Sequence, residues 1–383
     1  MSRADPVKLL LLIGLLMLLA GCRPAVEPFK QTADPGEIIY FAPNTKKMVA
    51  LTFDDGPNGS ATEQILDSLK KYNVKASFFL VGANAERYPQ IAKRIMAEGH
   101  LIGNHTYRHS RFDLITPPEI EQDVAKGAFS IENITGHKPA WLRPPYGING
   151  AGLEAACRRQ GCAIAGWSLD ANDWNPHPVE DLVDAIADQA TAGDIILLHD
   201  GFETSINPDR QATVAAVPLI VEKLQKAGFI FVTLADLLRN AGAPAAVFEN
   251  GVRLLGVQVG AKPVRPGGEF AMRYFWDVPE TLVGNLPSAF VHFTLPKSNY
   301  FFQGDYPLCR KGDVRDLVVR RLVHAPKNAP EGKYEIRMGL FPPGQIDPES
   351  RLTLRSNFPQ AQRAVYLPEG VQVASPVEKT CPP

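Results

Sequence analysis

MVALTFDDGP (residues 48–57) is an apolar strand that runs directly into two adjacent carboxylates, Asp54 and Asp55. Gly56-Pro57 accounts for a tight turn at that point. It does not account for two acids side by side, which repel each other. The arrangement of apolar run, then polar cluster, recurs along the chain. ASFFLVG, HLIGN, AWLRPP, CAIAGWSL, DIILLH and FIFVTL are further strand candidates up to about residue 240. Between them lie segments with helical spacing, such as ATEQILDSLKKY, ERYPQIAKRIMAEG, EIEQDVAKGAFSIENI and VEDLVDAIADQA. Ser60 with Glu63 and Thr116 with Glu119 have capping-box spacing at helix starts, and Gly99 and Gly228 sit where helices should stop.

Strict alternation of strand and helix implies parallel strands joined by crossovers. Seven such strands fit either a barrel or an open doubly wound sheet. The polar clusters decide between them. DDG, GNHTYRH, RPPYG, SLDANDW and LLHDG each follow a strand, and in a parallel barrel all strand C-termini open on one face. The expected fold is therefore α/β, a distorted (β/α)7 barrel. Near residues 240–251 the helical patterns vanish. VRLLGVQVG, EFAMRYFWDV, AFVHFTLP, DLVVRRLVH and KYEIRMGLF are β-rich runs broken by Pro and Gly, which reads as an all-β sandwich.

At 383 residues, 45% hydrophobic and 21% charged, the chain is an ordinary globular protein with room for two domains. A net charge of -1 and the lack of a basic block give no attraction to nucleic acid. Arg3 and Lys8 precede the apolar run LLLLIGLLMLLAG, too short to span a bilayer comfortably and shaped like a secretory signal. LAGC resembles a bacterial lipobox, which makes Cys22 the lipidated residue. Arg23 is not the Asp of an inner-membrane retention signal. The expectation is an exported lipoprotein, on the periplasmic face of the outer membrane in a Gram-negative cell and otherwise on the cell surface. The organisation expected is a signal over 1–21, a tether over 22–42, the barrel over 43–242 and the sandwich over 250–383. Four cysteines remain, and the pairing expected in an oxidising compartment is Cys157 with Cys162 and Cys309 with Cys381.

His105 and His109 stand four apart, a spacing that shares one face on a helical turn. With one carboxylate they make a site with open positions for a divalent metal, Zn²⁺ first, with Co²⁺, Fe²⁺ or Ni²⁺ as alternatives. A second Asp beside that site has a task as general base, and His199, ending DIILLH, is the candidate acid.

TFDDGP, HTYRH, RPPYG, DANDW and LLHD, in this order, resemble the five motifs of the polysaccharide deacetylases (carbohydrate esterase family 4, the NodB-homology domain). The resemblance covers about residues 45–240 and implies a distorted (β/α)7 barrel. Carried over residue by residue, it implies Asp54 as general base and Asp55, His105 and His109 as metal ligands. It makes Arg143 the arginine holding the base, and Asp173 the acid tuning His199, with Asp170 competing for that role. The Tyr146 backbone N–H would stabilise the oxyanion, while Trp174 and Leu197 would wall the acetyl pocket. Tyr107, Trp141 and Trp167 are candidates to stack on sugar; His100, His137 and His177 match no motif and read as structural or surface residues. The sandwich resembles Ig-like domains appended to cell-surface proteins, with Tyr300, Phe301 and Phe302 as glycan contacts or core.

The activity expected is removal of N-acetyl groups from an N-acetylglucosamine-type polysaccharide. An O-acetyl esterase, or a glycan-binding scaffold acting through the sandwich, is the alternative.

Overall fold

The computed structural model describes residues 32–44, 46–260, 263–282, 285–298, 300–308, 316–356, 360–361 and 364–374. The signal-like run, Cys22, Cys309 and Cys381 lie outside them. No helix among the described residues is long and apolar enough to cross a membrane.

Nine strands form one parallel sheet: β1 (Ile38–Ile39), β2 (Met48–Asp54), β3 (Ser77–Leu80), β4 (Leu101–Asn104), β5 (Trp141–Leu142), β6 (Ala163–Ala165), β7 (Leu169–Asp170), β8 (Ile195–His199) and β9 (Ile230–Val232). Their order is β1-β6-β5-β4-β3-β2-β8-β7, with β9 beside the start of β2. The helices between them are α1 (Gly59–Lys71), α2 (Gly82–Arg87), α3 (Pro89–Ala97), α4 (Pro117–Thr135), α5 (Leu153–Gln160), α6 (Val179–Ala187), α7 (Gln211–Lys226) and α8 (Leu234–Arg239). Period-2 alternation explains the layers. On β2, Val49, Leu51 and Phe53 pack with residues of α1 and α7, while Ala50, Thr52 and Asp54 lie on the opposite face of the strand. Burying each large residue of the first set stabilises the fold by about 1.5–3 kcal/mol.

The run CAIAGWSL, expected as one strand, is split. Its first half, β6, pairs with β5, and its second half, β7, pairs with β8 at the far end of the sheet. One stretch of chain thus serves both ends, and this closes the curled sheet into a distorted barrel. Ile38 and Ile39, placed in the tether by the sequence reading, instead form a buried edge strand parallel to β6.

Two local expectations change. α1 begins at Gly59 after Asn58, so Ser60 and Glu63 form no capping box; the Asn58 carbonyl already accepts the Ala61 and Thr62 N–H groups. The Thr116–Glu119 capping box is present, and Gly99 and Gly228 stop their helices at φ 78° and 84°. Cys157 and Cys162 are buried free thiols, not the expected disulfide. The Cys162 N–H donates to the Cys157 carbonyl around a left-handed turn at Gly161.

Among the described residues, the C-terminal region holds two antiparallel sheets. One orders β16 (Asp316–His324), β12 (Glu269–Asp277), β11 (Arg253–Val259), β10 (Ala246–Phe248) and β18 (Leu354–Arg355). The other orders β14 (Phe301–Gln303), β13 (Ser288–Thr294), β17 (Gly332–Phe341), β20 (Ala364–Val373) and β19 (Gln360–Ala361), with β15 (Tyr306–Pro307) also on β13. Their facing sides share one apolar core that includes Trp276, Tyr274, Phe293 and Phe302. Phe302 is therefore core and Tyr300 packs against it, whereas Phe301 is exposed.

Candidate active site

The polar strand ends do converge. Asp54, Asp55, His105, His109, Tyr146, Trp167, Asp170, Trp174, Leu197 and His199 line one cleft of about 440 Å³, with Gly147, Asn172, Phe202 and Glu203. Arg143 and Asp173 stand behind its wall. Of the proposed sugar contacts, Trp167 reaches the cleft. Trp141 is core and Tyr107 donates its hydroxyl to Glu86. His100 is structural, its Nδ1 accepting the Ala76 N–H, and burial pushes it down to about 4; His137 and His177 are exposed.

His105 and His109 do not lie on a helix. They occupy the loop after β4, where Thr106 and His109 take φ of 66° and 59°. Thr106 Oγ1 accepts the His109 N–H, and the Asp123 carbonyl and carboxylate on α4 accept the N–H groups of Tyr107 and Arg108. A knotted turn, not helical periodicity, brings the two imidazoles together. The His105 Nδ1–H donates to the Arg143 carbonyl at 2.7 Å, which fixes the tautomer and turns Nε2 toward the acids.

Asp55 anchors one oxygen and leaves the other free. Its Oδ2 accepts the Glu203 N–H at 3.0 Å. Its buried Oδ1 has no well-formed hydrogen bond and faces His109 Nε2 at 3.0 Å and His105 Nε2 at 3.3 Å. Burial opposes charge on Asp55, but contacts with the two histidines outweigh it and hold the carboxyl well below its ordinary range. Burial also opposes charge on His105, yet the charge of Asp54 and the contact with Asp55 raise it. One oxygen without a donor and two imidazole nitrogens, all within 4.8 Å of one another, fit a divalent cation.

Asp54 is held from behind. Arg143 Nη1 donates to Asp54 Oδ1 at 2.7 Å and to Thr52 Oγ1 at 2.8 Å. The same guanidinium donates to the carbonyls of Ala165 and Gly166, where β6 breaks off. Asp54 Oδ2 lies 3.8 Å from His105 Nε2. Small residues at Ala50, Ala163 and Ala165 leave the barrel interior room for this guanidinium, which stacks 4.1 Å from the Phe79 ring.

Across the cleft, His199 donates from Nδ1 to Asp173 Oδ1 at 2.8 Å. Asp173 Oδ2 accepts the His199 N–H and the Thr213 hydroxyl, so Asp173 holds the histidine and Asp170 does not. Burial would lower His199, but the Asp173 hydrogen bond and charge raise it to about 9. Asp200, buried beneath the two acids with one oxygen lacking a partner, is pushed up to about 7 by burial and by the charge of Asp55.

Sequence reading missed Glu203, which holds Asp55 through its backbone and accepts the Tyr146 hydroxyl at 2.6 Å. It also missed Thr213. Glu203 had a signal, an acid four residues beyond His199; Thr213, at the start of α7, had none.

A family model described as Polysaccharide deacetylase matches residues 42–165. A peptidoglycan-N-acetylglucosamine deacetylase of Bacillus cereus is 38% identical over 213 residues, 55% of this chain and 97% of that protein. A chitooligosaccharide deacetylase of Bradyrhizobium sp. is 34% identical, over 48% of this chain and 87% of its own. A crystal structure of a peptidoglycan N-acetylglucosamine deacetylase in complex with 4-naphthalen-1-yl-N-oxidanyl-benzamide superimposes with a TM-score of 0.50 at 36% identity, covering 54% of this chain and 95% of that one. The two relatives and the solved structure each match about half of this chain.

Proposed function

The chain belongs to the polysaccharide deacetylase family, and from that premise we propose that it removes N-acetyl groups from an N-acetylglucosamine-type polysaccharide of the cell envelope or extracellular matrix, using a divalent metal. The observation that carries this reading is the donor set of Asp55, His105 and His109 with Asp54 beside it in an open cleft. The names of the relatives make peptidoglycan and chitooligosaccharides the first substrates to try.

Zn²⁺ is the first cation to test, and Asp55, His105 and His109 are the residues that would hold it. A cation seated there would lower the pKa of water toward about 7 and polarise the acetamide carbonyl. Asp54, oriented by Arg143, takes the proton of the attacking water. His199, held by Asp173, donates a proton to the departing nitrogen. Water and the N-acetyl group thus become acetate and a free amino sugar. The Tyr146 N–H supports the oxyanion, and Trp174 and Leu197 flank the acetyl methyl. Cys22 and the apolar run before it support an exported lipoprotein tethered to a membrane.

Acetate release from N-acetylated oligosaccharides, measured beside acetylated xylan with the zinc-loaded protein, tests the reaction. Release from xylan alone would replace the amidase reading with esterase chemistry.

The His199–Asp173 pair adds a pH dependence. His199 must carry its proton to act as acid, so kcat should fall as pH rises through its pKa. A bound cation opposes what Asp54 and Asp55 contribute, so the alkaline limb should lie between the ordinary 6.5 and about 9. Asp173→Asn removes the largest raising influence, and the limb should move toward lower pH, read from a kcat–pH profile. An unmoved limb would assign the acid elsewhere.

A further inference from the structure

The sandwich does not merely follow the barrel; it enters it. Phe275 of β12 stacks on Phe41 at 3.9 Å, and Leu255, Phe275 and Val318 belong to the same apolar cluster as Ala50, Phe79 and Ile195 of the barrel. At the centre of this contact is Arg273. Its Nη2 pairs with Asp194 Oδ2 at 2.9 Å, and its Nη1 donates to the Ser168 carbonyl at 2.7 Å. Asp194 Oδ1 in turn accepts the Ser168 hydroxyl at 2.6 Å. Ser168, Asp194 and Arg273 are all buried. Arg320, paired with Arg273 across β12 and β16, adds a second donor to the Ser168 carbonyl at 3.3 Å.

Ser168 sits where the closing strand of the barrel splits, between Trp167 and the Leu169–Asp170 strand. Trp167 and Asp170 line the cleft on either side of it. The carbonyl that both arginines grip therefore belongs to the segment that forms one wall of the cleft. We propose that Arg273 and Arg320 are positioning residues for polysaccharide binding: the sandwich fixes the 167–170 wall of the catalytic cleft through the Ser168 carbonyl. This rests on that cleft being the substrate site. It gives the second domain a part in recognition through the barrel, with no glycan contact of its own required.

Arg273→Met alone leaves Asp194 as a buried charge without its partner and should lower the melting temperature. Arg273→Met/Asp194→Asn removes both charges together and should restore most of it. If Arg273 positions the wall, the zinc-loaded double variant keeps near-normal kcat on a chitooligosaccharide but its KM stays raised roughly tenfold or more, since small misplacements of binding groups cost that much. Arg320→Ala should raise KM by a smaller factor, and Arg320→Lys should recover part of the loss. Acrylamide quenching of tryptophan emission, which needs no substrate, should increase in the double variant as Trp167 loosens. A double variant with wild-type KM and wild-type quenching would overturn the proposal and leave the interface purely structural. If the wild-type protein releases no acetate from this oligosaccharide, the substrate reading has failed, and the quenching comparison decides the positioning role alone.

Discussion

Asp55→Ala is expected to lose zinc binding and, with it, all measurable acetate release. Loss of a residue that merely orients a ligand costs 10–100-fold in metal affinity, so loss of a direct ligand should exceed about 100-fold. Asp55 is the only carboxylate of the three-residue donor set, and its Oδ1 faces both imidazoles. Asp54 cannot stand in for it, because its Oδ1 is already committed to Arg143 and its Oδ2 lies farther from His105, at 3.8 Å. Asp55→Asn is the sharper variant. It keeps the shape of the side chain and an oxygen for the Glu203 N–H, yet presents a neutral amide to the histidines. A ligand that binds the folded state and not the unfolded one raises the melting temperature by mass action. Thermal unfolding with and without zinc, together with zinc content after dialysis, checks the prediction: the wild-type curve shifts and both variant curves do not. A variant that retains one zinc per chain would place the metal elsewhere and remove the basis of the mechanism above.

How far the chemistry was legible depended on the range of the interactions involved. Acids and imidazoles at strand ends were legible because strand alternation and turn residues are local, and a parallel barrel gathers such ends on one face. The histidine spacing was legible as a pair but not as a shape. Four residues apart fits one helical turn and equally fits the left-handed turn at Thr106 and His109, which the Thr106 hydroxyl and the contacts with Asp123 on α4 stabilise. The split of CAIAGWSL and the strand at Ile38–Ile39 were not legible, since each is decided by distant partners. β6 and β7 separate because their partners β5 and β8 lie in opposite halves of the sheet, and two isoleucines in a Pro-rich stretch give no period to read. Arg273 is the extreme case. Within β12 it reads as the polar position of an alternating strand, and nothing nearby indicates that Asp194, 79 residues earlier, awaits it.

Arg143 should show the largest effect on stability, because the closure of the barrel and the orientation of Asp54 converge on one guanidinium. It is completely buried, and it satisfies Asp54, Thr52 and the two carbonyls left where β6 ends. Arg143→Ala leaves the Asp54 carboxylate without its counter-charge in the barrel interior, a change that typically costs about 3–5 kcal/mol. The two carbonyls lose a donor as well, each at a cost of roughly 1–3 kcal/mol unless water enters. The variant should unfold at a clearly lower denaturant concentration than wild type. Arg143→Lys separates the two roles. An ammonium keeps the charge opposite Asp54, so much of the stability should return. Its compact head cannot span the carboxylate and both carbonyls as a planar fork does. Asp54 would then be neutralised but no longer aimed, and kcat should remain reduced by about 100-fold, since that is the cost of a misplaced catalytic group. Equilibrium denaturation and zinc-loaded kinetics on the same preparations give both readings. If the lysine variant regained full turnover, charge alone would suffice and the fork geometry would be irrelevant to catalysis. If the alanine variant unfolded at the wild-type midpoint, the break between β6 and β7 would have to be held by something other than this residue.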